Sequence, residues 1–447
     1  MLTKTDFMKY VECPVYLWML KHRPDLLPED TLELRRILEM GREVDDFARK
    51  LFLGGAEVKG FNREGWQNTQ KLMASGAEIL FQPTAVADPI TCRADILEKS
   101  GASWTLNEVK AATTVKKEYP YDVAFQRMCF ENAGVKVGRT NLVHINNRYI
   151  RKGEVEPKKL FISEDITDIV LEHAPEVKQL IPLAVEVVNR REAPDKNMLA
   201  SCPNPKTCEY LKMYLESIGQ KQEMPKIEEV TDAAGINEKL AELKYPLYFL
   251  DYETYGTAIP PFDGTRPYQN TPFQYSLLVQ EKRGAAPKHT EFLAREFENP
   301  VPALLAQLQR DIGNKGSVIV WSESFEKGCN DEMARMEPGF ADFLKSVNDR
   351  IFDLMIIFKL KNQLYTRNAF MGSHSLKKVL PALCPELAYD DLAIQEGMTA
   401  SASWPVLTSK ETPETERSKL GKDMLEYCER DTEAMVCILD KLEKEIN

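Results

Sequence analysis

The chain has 447 residues, 43% hydrophobic and 28% charged, and its 58 Lys and Arg against 69 Asp and Glu leave a net charge of −11. That length accommodates two or three domains with cores of their own. No apolar run reaches membrane-span length, and the opening "MLTKTDFMKYVECPVYLWML" lacks the basic region and cleavage site of a signal peptide, so a soluble, cytoplasmic protein is expected.

The acidic balance argues against broad nonspecific affinity for nucleic acid, although short basic stretches such as "KHRP" and "TTVKKE" can still guide a strand; their plainer reading is a solvated face. The nine cysteines lack the dense spacing of a secreted disulfide framework and fit a reducing compartment. In chain order, "DTLELRRILEMGREVDDFARKLFLGG" has helical apolar spacing and ends at Gly54-Gly55. "EILFQPTAVA", "TCRADILEK" and "SWTLNEVKA" are short and half alternating, which predicts strands of one sheet. "YDVAFQRMCFENAGVKV" predicts a helix that stops at Gly134.

Residues 190 to 245 are first Pro-rich and polar, then rich in Lys and Glu, as at a domain end followed by a linker. A second unit opens at "YPLYFLDYET", with strands expected at "FQYSLLVQE", "GSVIVWS" and "DRIFDLMIIFK" and a helix at "KLGKDMLEYCERDTEAMVCILDKLEKEI". This is a mixed α/β layer pattern. The chain contains no internal repeat and no P-loop motif, so motor ATPase activity is not expected.

Two acid sets carry chemistry. Asp251 and Glu253 end the apolar run Tyr248-Phe249-Leu250, and the two-residue period of a strand puts them on one face, where they repel unless a cation neutralises them. Mg²⁺ or Mn²⁺ suits such oxygen donors; a solvated strand end is the plain alternative. Glu326 follows "VIVWSES", and "MLEYCERDTEAM" sets Tyr427 and Asp431 one helical turn apart. In the first half, Glu108 and Lys110 share a strand face that Asp95 meets from a neighbouring strand, a set suited to holding a metal and steadying a phosphate ester. Here the plain alternative is a solvated Glu-Lys pair.

The order Asp251-x-Glu253, Glu326, Tyr427-x-x-x-Asp431 resembles the DnaQ-like, RNase H-fold 3′-to-5′ exonucleases whose third motif is Tyr-x-x-x-Asp. The resemblance implies two Mg²⁺ or Mn²⁺ ions held by Asp251, Glu253, Glu326 and Asp431, with Tyr427 orienting or deprotonating the attacking water. Ser322 stands where that family usually has Asn, and Glu326 replaces the commoner Asp. "GSHSLKKVL" is similar to the helix that follows in such enzymes, which places His374 near the site or on the surface; Asp353 is expected to be structural or to support the ligands.

The order Glu43 (or Asp46), Asp95, Glu108-x-Lys110, Gln126 resembles the RecB and CRISPR-adaptation branch of the PD-(D/E)xK nucleases, with Phe130 in place of that branch's Tyr. Lys110, Gln126 and Glu43 are then catalytic, and Asp95 and Glu108 hold metal. The branch often carries an iron-sulfur cluster, for which Cys13, Cys202 and Cys208 are present. Tyr214 stands at the fourth position, so a degenerate or absent cluster is expected unless Cys129 moves in, and packed thiols are the alternative.

"PFDGTRPYQNTPFQYSLLV" with "GSHSLKKVLP" is similar to an uncharacterised bacterial family that joins two such domains. The organisation implied is a restriction-endonuclease-like α/β domain over 1–220, a linker over 221–244 and an RNase H-like domain over 245–447. The implied activity is metal-dependent hydrolysis of nucleic acid, with DNA favoured over RNA. An adaptor that binds nucleic acid without cutting it is the second reading, and a small-molecule metallohydrolase the third, disfavoured because the chain has only five His.

Overall fold

The computed structural model describes residues 1–26, 32–192, 213–216, 219 and 226–446. The chain folds as two compact units, Met1–Tyr149 with Glu154–Glu223, and Ile150–Gly153 with Met224–Asn447. Both are mixed α/β, each built on a central sheet with helices packed against it. Among the described residues no helix is long and apolar enough to cross a membrane.

The first unit begins with β1 (Leu2–Thr3), α1 (Lys4–Glu12), α2 (Pro14–His22) and α3 (Leu32–Ala48). There follow β2 (Ala56–Glu57), α4 (Asn62–Ala74), β3 (Ile79–Phe81), β4 (Thr84–Ala87), β5 (Ile90–Arg93), β6 (Ile96–Ser100) and β7 (Ser103–Lys110). It continues through α5 (Tyr119–Asn132), β8 (Val137–Ile145), α6 (Pro157–Leu160), β9 (Phe161–Asp165) and α7 (Thr167–Asn189). A six-stranded sheet runs β2-β3-β6-β7-β8-β9 and a smaller one runs β1-β5-β4. Helix α5 is apolar on most sides because it lies buried; Phe125 and Phe130 are fully enclosed, with Phe7 of α1 stacked on Phe125 at 4.8 Å.

Three expectations change here. The segments 78–87, 91–99 and 103–111 do not share one sheet: β4 and β5 leave with β1, while β3, β6 and β7 remain in the large sheet. The chain turns at Gln82, whose φ is +54°, and at Pro83, which has no N–H to continue a ladder. Helix α3 ends at Ala48 and passes through a 3₁₀ turn before Gly54, whose φ of +81° glycine tolerates. Finally, a disulfide joins Cys384 to Cys437, 53 residues apart, a pairing that local spacing does not reveal.

The second unit comprises β10 (Val230–Thr231), α8 (Ala233–Leu240), β11 (Leu247–Tyr255), β12 (Thr271–Gln280), β13 (Lys288–Leu293) and α9 (Val301–Asp311). Then come β14 (Ser317–Val320), α10 (Glu323–Met336), α11 (Ala341–Asn348), β15 (Ile351–Asp353) and β16 (Tyr365–Thr366). Helices α12 (Leu376–Leu383), α13 (Gly397–Thr408) and α14 (Glu414–Ile446) complete it. The stretch 221–244, read as a linker, is described from 226 onward; there β10 pairs with β16, and α8 buries Ile236 in the unit's core.

The five-stranded sheet runs β13-β12-β11-β14-β15, antiparallel from β13 to β11 and parallel from β11 to β15. β11 is central, with both faces covered, so Phe249 and Leu250 are both fully buried. Helix α14 buries Met424, Tyr427, Asp431, Met435, Ile438 and Leu442, a stripe with steps of three and four residues, and Cys428 beside it. Polar bonds fix its register on the sheet: Gln274 Nε2 donates to the Met424 carbonyl at 2.8 Å, and Ser276 Oγ lies 2.8 Å from Thr432 Oγ1.

Trp404 of α13 is fully buried, stacks on Phe273 at 4.9 Å and donates its indole N–H to the Ala294 carbonyl at 2.9 Å. Trp404→Ala is therefore expected to destabilise the second unit by about 3–5 kcal/mol in denaturant titrations. A change below about 1 kcal/mol would show that this packing is dispensable.

Candidate metal and nuclease sites

In the second unit, β11 carries Asp251 and Glu253 to the point where α14 brings Tyr427 and Asp431. Pairing of Asp251 with Ser276 and of Glu253 with Gln274 sets both acids on the side that α14 covers, and Ser276 and Gln274 are the residues bonded to α14. Carboxylate oxygens of Asp251, Glu253 and Asp431 all lie within 4.8 Å of one another. This cluster could hold a metal ion.

Burial and mutual repulsion push Asp251 and Glu253 well above the usual carboxylate range. Burial also raises Asp431, which is held at about 6 by hydrogen bonds from the Tyr389 and Tyr427 phenols and by the nearby Lys377 ammonium. The Cys428 thiol lies 3.7 Å from Asp251 Oδ2. Burial next to these carboxylates raises the Tyr427 phenol far above its ordinary value, so it stays protonated and acts as a donor.

Glu326, in the first turn of α10, is near enough to Asp251 to be felt electrostatically but stands outside the trio. It is buried, its Oε2 has no hydrogen-bond partner among the described residues, and burial raises its pKa to about 8. Asp353 accepts the Met355 N–H at 3.1 Å and pairs with Lys359 at 2.9 Å, as a structural acid does. His374 is exposed, and its backbone carbonyl accepts the Trp321 indole N–H at 3.1 Å.

Three neighbours of this site escape sequence reasoning. Tyr389 donates to Asp431 from a 3₁₀ turn 42 residues upstream. Lys377, three residues after His374 in the segment singled out, has its ammonium 5.3 Å from the Tyr427 ring centre and 5.6 Å from that of Tyr389, and pairs with Glu396 at 2.6 Å. A Cβ on Gly397 would lie 3.7 Å from Glu253 Oε2 and 3.8 Å from Tyr427 Oη, so the start of α13 closes against the acids.

In the first unit, β7 presents Glu108 and Lys110 together, and Asp95 lies just before β6. Asp95 Oδ2 accepts the Val109 N–H at 2.8 Å. Burial, then the charge of Glu108, raises its pKa to about 7. Gln126 Nε2 donates to Glu108 Oε2 and Asp122 Oδ1, both at 2.8 Å, and Lys110 Nζ reaches Glu108 at 2.7 Å and Asp122 at 2.6 Å. Burial opposes charge on Glu108, but the two ammoniums beside it, Lys110 and Lys4, outweigh burial and hold its pKa low.

Glu43 is not brought to this cluster. It is exposed and pairs with Arg36 at 3.1 Å, while Asp46 faces solvent near Arg49. Helical geometry turns Asp45 inward instead, and Gln82 Nε2 bridges Asp45 and Asp95 at 3.2 and 3.3 Å. Phe130 and Tyr214 are buried among apolar side chains. Cys13 is half-buried, Cys129 is enclosed beside the Ala85 carbonyl, and Cys202 and Cys208 lie outside the described residues. Among the described residues the other three-ligand group is Cys384, Glu386 and Cys437, whose two sulfurs are joined to each other.

Residues 248–375 match the family described as "Domain of unknown function (DUF2779)", a stretch that includes Asp251, Glu253 and Glu326 and stops short of Asp431. The chain is 27% identical over 220 residues to the "Uncharacterized protein MG366 homolog" of Mycoplasma pneumoniae, which is 45% of this chain and 32% of that protein. It is 24% identical over 213 residues to "Uncharacterized protein MG366" of Mycoplasma genitalium, 44% of this chain and 32% of the relative. It is 25% identical over 221 residues to "Uncharacterized protein UU173" of Ureaplasma parvum, 44% and 31% respectively. The chain thus spans about a third of the length of the curated relatives it matches, and those relatives are uncharacterised bacterial proteins.

Proposed function

We propose that the second unit is a divalent-metal-dependent nuclease of the DnaQ-like, RNase H-fold type, removing nucleotides from 3′ ends with DNA favoured, and that the first unit carries a PD-(D/E)xK-like site. The observation that carries this reading is the convergence of Asp251, Glu253 and Asp431, which span 180 residues, with Tyr427 bonded to the last of them. The strand order of the five-stranded sheet, two antiparallel pairings followed by two parallel ones, supports it.

The donor set fits a hard divalent ion: three carboxylates whose hydrogen-bond donors are phenols and a thiol, with the nearby Lys377 paired to Glu396. When bound, such an ion supplies electrostatic stabilisation of the ester and a more acidic attacking water. Asp251, Glu253 and Asp431 hold it, and Glu326 Oε2 offers a further oxygen. In the metal-free site Tyr427 stays protonated and bonded to Asp431; with a cation neutralising the carboxylates that raise it, the phenol is placed to orient or deprotonate the attacking water. Tyr389 fixes Asp431.

Digestion of end-labelled single- and double-stranded DNA and RNA with Mn²⁺ tests the reading. Asp251→Ala with Glu253→Ala is expected to remove the ladder shortened from the 3′ end, and Tyr427→Phe to slow it by about 100-fold through lost orientation. Lys110→Ala is expected to leave that ladder intact. An undiminished ladder from the double variant refutes the assignment, whereas binding without product in the wild-type chain favours the adaptor reading.

Proton and metal linkage supplies a second test. The folded-state pKa values of Asp251, Glu253, Asp431 and Glu326 all lie above those of the unfolded chain. Their contribution to stability is therefore complete below the unfolded values near 4 and is lost as pH rises through the folded ones, about 6 for Asp431 and about 8 for Glu326. In EDTA the melting temperature is expected to fall between about pH 4 and about pH 8, and Mn²⁺ to raise it more at the upper end, where the ligands are deprotonated. A metal-induced shift independent of pH would contradict this linkage.

A further inference from the structure

Glu108 and Asp122 are bridged three times in the first unit. Lys110 and Gln126 supply two of the bridges; the third comes from Lys4, whose Nζ lies 2.8 Å from Glu108 Oε1 and 3.6 Å from Asp122 Oδ1. This lysine is separated from Glu108 by 104 residues and its position is built by the fold. Thr3 and Asp6 form a reciprocal capping box that starts α1 at Lys4, Leu2 and Thr3 pair with Ile90 and Thr91, and Lys21 holds Asp6 at 2.7 Å.

Both oxygens of Glu108 are consequently engaged, Oε1 by two ammoniums and Oε2 by the Gln126 amide. A divalent ion approaching Glu108 has to displace one of these groups. Lys110 makes short contacts with both carboxylates and Gln126 is fully buried, whereas Lys4, as exposed as Lys110, touches Glu108 closely but stands 3.6 Å from Asp122, so it gives up one short ion pair on leaving where Lys110 gives up two. The second unit's trio differs, since its nearby ammonium, Lys377, is taken up by Glu396 and the Gln395 carbonyl.

We propose that Lys4 is a built-in counter-cation of the first unit, occupying the Glu108 carboxylate in competition with a divalent metal ion, so that metal binding there requires Lys4 to withdraw. This rests on the reading of Asp95 and Glu108 as metal ligands. Repulsion between buried carboxylates is then satisfied internally in the metal-free state, and the site is loaded by exchange of one cation for another.

The test uses the full chain with Asp251→Asn, Glu253→Gln and Asp431→Asn to silence the second unit, and it follows Mn²⁺ binding by electron paramagnetic resonance. Adding Lys4→Met is expected to tighten binding of one Mn²⁺ by about tenfold or more, while Lys4→Arg behaves as the parent. In EDTA the Lys4→Met chain is expected to melt at a lower temperature than the parent, with Mn²⁺ closing the gap.

Equal or weaker Mn²⁺ affinity in a folded Lys4→Met chain, with binding still abolished by Glu108→Gln, overturns the role of Lys4 and leaves the metal reading standing. Absence of any Glu108-dependent Mn²⁺ binding in parent and variant alike overturns both. Neither outcome bears on the 3′ ladder assigned to the second unit, which is measured on the wild-type chain. If Lys4→Met unfolds, Lys4→Gln takes its place, and the same affinity comparison decides.

Discussion

Like charges forced together in a place water scarcely reaches are the constraint on which the second unit turns. Asp251, Glu253 and Asp431 repel one another, and burial removes the solvent that would screen them. The sheet and α14 must hold them there regardless. They do so with a polar seam, Gln274 to the Met424 backbone and Ser276 to Thr432, whose bonds form only in one register of helix on strand. An apolar seam alone would tolerate sliding; buried hydrogen bonds left unmade would each cost about 1–3 kcal/mol.

The two units meet the same electrostatic problem by different means. The first places lysines against its carboxylates, at 2.7 and 2.8 Å from Glu108, and keeps that acid ionised. In the second, among the described residues, the acids take phenol and thiol hydrogen bonds, and they hold on to protons up to about 6 at Asp431. One cluster is stable as it stands. The other is strained when ionised, a strain that a bound cation would relieve.

The groups around Asp431 also set the protonation of the tyrosine one turn before it. Burial beside carboxylates disfavours phenolate strongly, so Tyr427 and Tyr389 remain donors. Their hydrogen bonds orient the carboxylate and partly offset its desolvation. Gly397 completes the arrangement, because a larger residue would bring side-chain atoms close to both Glu253 and Tyr427.

Strand and helix periodicity in the sequence was enough to place Asp251 beside Glu253, Tyr427 above Asp431, and Glu108 beside Lys110, since each pair lies within one element whose repeat is set by local backbone geometry. Most of the strands and the long final helix follow from the same periodicities. Only the tertiary structure decided which distant groups meet these pairs. It turned Asp45 inward where Glu43 and Asp46 face solvent, brought Tyr389 and Lys377 to the second site and Lys4 and Asp122 to the first, sent β4 and β5 to a separate sheet, and joined Cys384 to Cys437. Such encounters depend on how packed elements cross in space, and no short-range repeat in the chain encodes them.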